Sequence, residues 1–421
     1  MSFPFYAQIA PSPIWPAMRR RAITATAFFL LALSWSPLLP KLLGLPFNVA
    51  LFSAFVVLAG LTALEGGVSL RIALLCLMLL SACFLMMLLS QSPQLLLRLA
   101  PLPLLIFAAR QTIAVHGLPQ RLCHLMTVFL MVGVAGALVG EFYALAGGEP
   151  ILSIDNIDGR ENSLYLTTMS NFNVLGLIRP SFIYDEPGAF SFIVCATVAL
   201  REVLGRGRHA SVLLMIGGLV TLSLTHFLIM LIYLIFRIGP LKTVALVATL
   251  LIPLAPLAAH VEELNFLVNR FAFEDGKLEG DNRSNQIENF LAVVNPGTVL
   301  FGNIECDARP EGICDEHGDI TSSPVTPTYR GGLVALIVQL SVHAGLIAAF
   351  FRRKRFRFSA LALTLLLLQR PYFGFGGYGY ITFLLLLLMS HVRTPIRLGS
   401  ATLRGSDNLP RPAPHSRSGP V

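Results

Sequence analysis

Arg179-Pro-Ser-Phe-Ile-Tyr-Asp-Glu-Pro-Gly-Ala-Phe190 sets a guanidinium, two adjacent carboxylates and a Pro-Gly break directly before an apolar run. A guanidinium presents a planar fork of donors that suits phosphate oxygens. Asp185 or Glu186 can take a proton from a hydroxyl. Two plainer readings stand beside these. Carboxylates are favoured at a helix start by its dipole, and Arg179 can pair with either acid.

Three more groups offer similar chemistry. Asp281-Asn-Arg-Ser-Asn-Gln-Ile-Glu-Asn-Phe290 supplies Arg283 as a second anion ligand, with Asn282, Ser284 and Asn285 as partners for sugar hydroxyls. The same stretch also reads as an amphipathic helix lying on a membrane surface. Cys306 and Cys314, if paired, would hold Asp315, Glu316 and His317 in a tight lobe; His317 is then a base active near neutral pH, or else a solvated loop side chain. Arg370 opens a stretch of tyrosines, phenylalanines and glycines that reads as an aromatic belt. It also reads as the rim of a cavity, since a charge within the bilayer costs about 2.5–3.5 kcal/mol on insertion scales. His226 lies in an apolar run, where hydrogen bonding between helices accounts for it better than catalysis. The sequence has no Asp-x-Asp, P-loop or Gly-x-Gly-x-x-Gly motif and no zinc-like Cys/His cluster, so no metal or other cofactor is expected.

Such side chains need positioning, and the composition says by what. Of 421 residues 55% are hydrophobic and 13% charged, with mean hydropathy +0.71. A soluble chain of this length could not hide that much apolar surface, and long continuous runs suit helices rather than the alternating strands of a barrel. The expected class is an all-α polytopic membrane protein. Residues 1–21 form an N-terminal tail, 22–146 hold spans one to five, 147–187 a polar loop and 188–260 spans six to nine. A large loop covers 261–330, spans ten to twelve cover 331–392, and 393–421 form a polar, disordered tail. The first apolar run reads as an anchor rather than a cleaved signal peptide. Cys76, Cys83, Cys123 and Cys195 lie in apolar runs as packing residues.

Residues 211–236 leave a choice. One continuous helix would reverse the sidedness of everything downstream. Two short helices broken near Thr225-His226 keep every basic cluster on one side, and the charge pattern favours them. On that reading 21 of the 31 Lys and Arg share a side, including Arg19, Arg20, Arg21, Arg110, Arg121, Arg206, Arg208, Arg237 and the run Arg352-Arg-Lys-Arg-Phe-Arg357. Nineteen of the 23 acids fall in the opposite loops, six in 147–187 and 13 in 261–330. The positive-inside rule then puts both termini in the cytoplasm. The formal charge of +8 is a topology signal, not a nucleic-acid footprint.

An arginine–acid–proline stretch opening a mid-chain span, a polar break in the next apolar segment, Asn282-Arg283-Ser284 and a long outer loop before the last helices together resemble the Wzy-type polysaccharide polymerases. The O-antigen ligases share this plan. The resemblance covers roughly residues 147–389; where the family carries Ser-Arg at the polar break, this chain has Thr225-His226. It implies a bacterial inner-membrane glycosyltransferase working at the periplasmic face. Such an enzyme transfers a growing glycan from undecaprenyl pyrophosphate to a lipid-linked repeat unit, without metal. Arg179, Arg283 and Arg370 would hold the diphosphate, Asn282 and Ser284 the glycan, and Glu186, Asp185 or His317 would be the base. Lipid-linked glycans and membrane lipids are the implied ligands, with flippase, chain-length and export proteins as partners. Ligation to lipid A-core is the nearest alternative. A transporter without covalent chemistry would need ionisable residues on several spans, where Glu141 is the main one.

Overall fold

Long runs of Leu, Ile, Val, Phe and Ala fold here as helices, which satisfy their backbone bonds within the segment as lipid demands. The computed structural model describes residues 14–32, 36, 47–66, 70–155, 161–174, 177–251, 273–274, 277–278, 282–303, 320, 324–369 and 376–391. The first helices are α1 (Ile14–Ala32), α2 (Phe47–Gly66), α3 (Leu70–Ser90), α4 (Pro93–Leu99), α5 (Pro101–Ala114) and α6 (Leu118–Leu145). Five short strands follow: β1 (Leu152–Asp155), β2 (Glu161–Tyr165), β3 (Thr168–Ser170), β4 (Asn173–Val174) and β5 (Leu177–Ile178). Then come α7 (Pro187–Val203), α8 (Arg208–Gly217), α9 (Leu224–Ile238) and α10 (Pro240–Leu251). A strand pair, β6 (Phe273–Glu274) and β7 (Lys277–Leu278), precedes α11 (Asn282–Val293), α12 (Pro296–Phe301), α13 (Thr326–Arg352), α14 (Arg357–Gln369) and α15 (Gly376–His391).

Among the described residues four helical segments are long and apolar enough to cross a membrane: α3, Leu95–Ala114 (α4 running into α5), α6 and α13. With the shorter apolar helices they make a mostly helical, membrane-embedded protein. The expected all-α class is modified by three small antiparallel sheets, of which β1-β2-β3 is the largest. The first helix also departs from expectation. Instead of starting after the arginines, α1 takes Arg19, Arg20 and Arg21 into its second turn, where Arg19 and Arg20 both reach Glu65 of α2, at 2.8 and 2.9 Å. Arginine is a good helix former, and the shared carboxylate ties the two helices at that end.

Segment 211–236 is broken. A 3₁₀ turn at Gly218–Thr221 and a left-handed Leu222 (φ 49°) separate α8 from α9, a few residues before Thr225-His226. Both limbs have their far ends beside the C-terminus of α7. Arg201 donates to Ser211 Oγ (3.0 Å) and the Gly207 carbonyl (2.7 Å), and Glu202 pairs with Arg237. The pair therefore enters and returns at one end of the bundle. Arg206 donates to the Gln120 carbonyl in the first turn of α6, and Arg355 donates to the Val203 carbonyl. These contacts gather Arg121, Arg206, Arg237 and Arg355 at a common basic end. The sheets and the start of α7 lie at the other.

At the centre is α7, buried at every residue from Pro187 to Arg201 and packed by α6, α8, α9, α14 and α15. Phe192 meets Tyr378 edge-on at 4.3 Å. Ser359 Oγ donates to the Ala199 carbonyl at 3.0 Å. The cysteines described, Cys76, Cys83, Cys123 and Cys195, are reduced and packed.

Candidate functional site

Proline at the first helical position has no N–H to leave unpaired and a preset φ, so Pro187 fixes where α7 begins. Glu186 occupies the capping position in an extended conformation, and its carbonyl accepts the Ala189 N–H at 3.0 Å. Asp185 and Glu186 are half-buried, and Asn162 of β2 donates to the Asp185 carbonyl at 2.7 Å. The backbone of Asp185 and Glu186 is thus held between the sheet and the head of the central helix.

Upstream, the chain is pinned to β3. Ser181 N–H bonds the Met169 carbonyl at 2.8 Å and Met169 N–H bonds Phe182 O at 2.6 Å. Ser181 Oγ lies between the carbonyls of Met169 and Tyr184, at 2.9 and 2.8 Å. Tyr184 is fully buried and stacks on Phe190; burial pushes its phenol well above the ordinary range, so it stays neutral. Phe182 adopts a left-handed backbone (φ 56°). Its ring packs against Phe129 (5.3 Å) and Phe190 (5.9 Å) and covers Gly133, where a Cβ would stand 2.8 Å from it.

That glycine sets the depth. Gly133 lies twelve residues before the end of α6, about 18 Å along a helix rising 1.5 Å per residue. Gly136 accepts a bond from Thr167 Oγ1 at 2.6 Å, and a Cβ on Gly140 would overlap Thr168 and sit 2.8 Å from the Tyr165 carbonyl. Three glycines on one side of α6 thus let the polar stretch sink beside the helix instead of riding above it. Phe182 of the arginine–acid–proline segment is thereby packed beside the middle of α6.

Arg179 precedes Phe182 on the same segment. Its N–H bonds Ser170 Oγ at 3.2 Å, and its guanidinium carbon lies 5.9 Å from the Phe172 ring centre, at cation–π range. Arg179, Asp185 and Glu186 therefore belong to one local structure. No protein-family model, curated protein or solved structure matches this chain.

The remaining predicted residues divide. Ser284 is half-buried in the first turn of α11, a helix that buries Phe290 against Tyr329 and Ile320 in a small cluster of its own. Asn282 and Arg283 open the same helix. His317, Arg370, Cys306 and Cys314 lie outside the described residues. Nothing described brings the α11 group against Arg179. Among the described residues no three His, Cys, Asp or Glu side chains are grouped to hold a metal.

Two features escaped the sequence. Arg98 of α4 donates to the Arg330 carbonyl at 3.0 Å, and Asn303 bonds Tyr329 through both its backbone (2.6 Å) and its side chain (2.7 Å). These bonds build a junction with two arginines at the end of the bundle opposite the basic one. The doublet Gly331-Gly332 was its one visible sign. Glu141, on α6 one residue beyond Gly140, is half-buried. His226 is fully buried; Nε2 donates to the Met215 carbonyl at 2.8 Å, while Nδ1 faces Ser191 Oγ (3.3 Å) and Cys195 Sγ (3.4 Å). It joins α7, α8 and α9.

Proposed function

We propose that this protein is a polysaccharide polymerase of the inner membrane. It moves a growing glycan from undecaprenyl pyrophosphate onto a sugar hydroxyl of a lipid-linked repeat unit. The observation that carries the reading is one local structure beside α6, in which half-buried Asp185 and Glu186 follow Arg179 at the head of a helix buried from Pro187 to Arg201. The resemblance to Wzy-type polymerases in the same residues supports it. In this reading there are twelve spans, counting α8 and α9 as two short limbs. Both termini are cytoplasmic, and the sheets and residues 261–330 face the periplasm.

The reaction breaks the bond between the anomeric carbon and the pyrophosphate oxygen. The acceptor oxygen bonds that carbon, its proton passes to a carboxylate, and the electron pair leaves on the pyrophosphate. A diphosphate leaving group is already weakly basic and needs neutralisation more than protonation, which fixed guanidinium forks provide. Arg179 supplies one fork, and the resemblance adds Arg283 and Arg370 as further ligands of the diphosphate. Glu186 is the base, ahead of Asp185 and His317, because it stands at the first turn of the rigid central helix. Asn282 and Ser284 bind the glycan. A base so placed contributes about 10²–10⁴ in rate.

The test is the carrier-linked material in cells lacking this protein. A polymerase loss leaves single repeat units on undecaprenyl pyrophosphate. Full-length chains left on the carrier would mean a ligase to lipid A-core, and repeats trapped on the cytoplasmic side would mean a flippase.

A further inference from the structure

A cleft of about 770 Å³ opens at the basic end of the bundle, lined by Ala17, Arg20, Arg21, Thr24 and Phe28 of α1 and by Arg121 of α6, with Leu125 one turn further on. The α1 residues recur at helical spacing and share one face. Their order along that face is the informative part. Arg20 and Arg21 stand at the mouth, and Phe28 lies seven residues further on, about 10 Å along the axis. Arg121 and Leu125 repeat the pattern on α6, cation outermost and apolar side chain one turn inward. The cleft is thus cationic at the mouth and apolar within, and one of its walls is a helix long enough to cross the membrane.

Among the described residues the charges are not balanced. Arg20 shares Glu65 with Arg19. Arg121 is turned by the carbonyls of His116 (3.2 Å) and Gly117 (3.4 Å), which orient it without neutralising it. No described carboxylate pairs with Arg21. Residues 1–13 contain no acid, and 392–421 contain one, Asp407, among five arginines, so both tails are poor in carboxylates.

We infer that the cleft binds an anionic phospholipid of the adjoining leaflet. Its phosphate lies between Arg21 and Arg121, with an acyl chain running past Phe28 and Leu125, so that the lipid bridges α1 to α6. Basic pockets between membrane helices take such headgroups because the phosphate is held at water level while the chains stay in the hydrocarbon. This site is separate from the arginine–acid–proline segment, whose Phe182 packs beside the middle of α6, and does not depend on the proposed transfer reaction.

The experiment uses the full chain purified into phosphatidylcholine nanodiscs, with phosphatidylglycerol or inorganic phosphate added. Lipid retained after extraction is counted by native mass spectrometry, and Tm is recorded. Phosphatidylglycerol should be retained in preference to phosphatidylcholine and should raise Tm, whereas inorganic phosphate should not. Arg21→Gln and Arg121→Gln should each lower retention by about fivefold, the worth of one guanidinium near an anionic headgroup. Leu125→Trp, which fills the apolar half and leaves every charge, should also lower it. Equal retention in all three variants, equal binding of phosphatidylcholine, or the same Tm rise with inorganic phosphate would overturn the proposal.

Discussion

Arg179 holds its place through its backbone, by the bond to Ser170, and offers its guanidinium over Phe172. A lysine there keeps the charge but loses the fork and most of the stacking. If the arginine grips a diphosphate, Arg179→Lys should cut polymer synthesis by roughly 10–100-fold, the worth of a charged hydrogen bond of about 1.5–3 kcal/mol. Chain length on the carrier, measured in membranes with normal amounts of the variant, is the check; unchanged chains would remove Arg179 from the site. Glu186→Gln, isosteric and unable to take the proton, should lower the rate by about 10²–10⁴, and Asp185→Asn by much less. The reverse ranking would transfer the role of base to Asp185. His226 should behave differently from both. In His226→Phe the Met215 carbonyl loses its donor inside the bundle, costing about 1–3 kcal/mol. A fall in Tm in detergent with activity retained at low temperature would place it in structure; a lost activity at unchanged Tm would place it in chemistry.

At the scale of elements, close approach decides the architecture. Gly332 interrupts α13 with φ 56° and ψ −148°, and a Cβ there would run into the Leu300 carbonyl and stand 2.8 Å from Gly302 N. Gly332→Ala should destabilise by about 1–3 kcal/mol from the backbone alone, read as a lower Tm and as loss of the Asn303–Tyr329 junction. A Tm equal to the unsubstituted protein's would show that the kink relaxes freely. These positions also mark where reading the sequence succeeds and where it stops. Pro187 announced the start of α7, because proline's fixed φ is a local property. The two-limbed reading of 211–236 followed from charge, since Arg208 and Arg237 could share a side only if the segment turned back. The depth at which the arginine–acid–proline segment packs beside α6 was not legible. It depends on Phe182 taking a left-handed backbone and on Gly133, Gly136 and Gly140 meeting a strand more than 20 residues away in the chain. The start of α1 was missed for a related reason, as its arginines are stabilised by Glu65 of another helix. Side-chain type and spacing reveal chemistry and periodicity, but not which distant backbone will fill the space a glycine leaves.

For the whole molecule, the organising fact is a bundle with two unlike ends. Basic residues collect where α1, α6, α7, α9 and the α13–α14 connection meet, and Asp185, Glu186, Arg179 and the Arg98–Arg330 junction lie at the other end. The proposed transfer reaction requires that second end to face the periplasm, where lipid-linked donor and acceptor glycans would reach it. Single cysteines report this directly. Ile151, before β1, and His209, in the first turn of α8, are both exposed and lie outside the proposed site. In cells with a permeabilised outer membrane, a membrane-impermeant maleimide should label Ile151→Cys and should reach His209→Cys only after lysis. Labelling of His209→Cys in intact cells, with Ile151→Cys protected until lysis, would contradict the account, because the arginine and carboxylates would then face a compartment without either glycan.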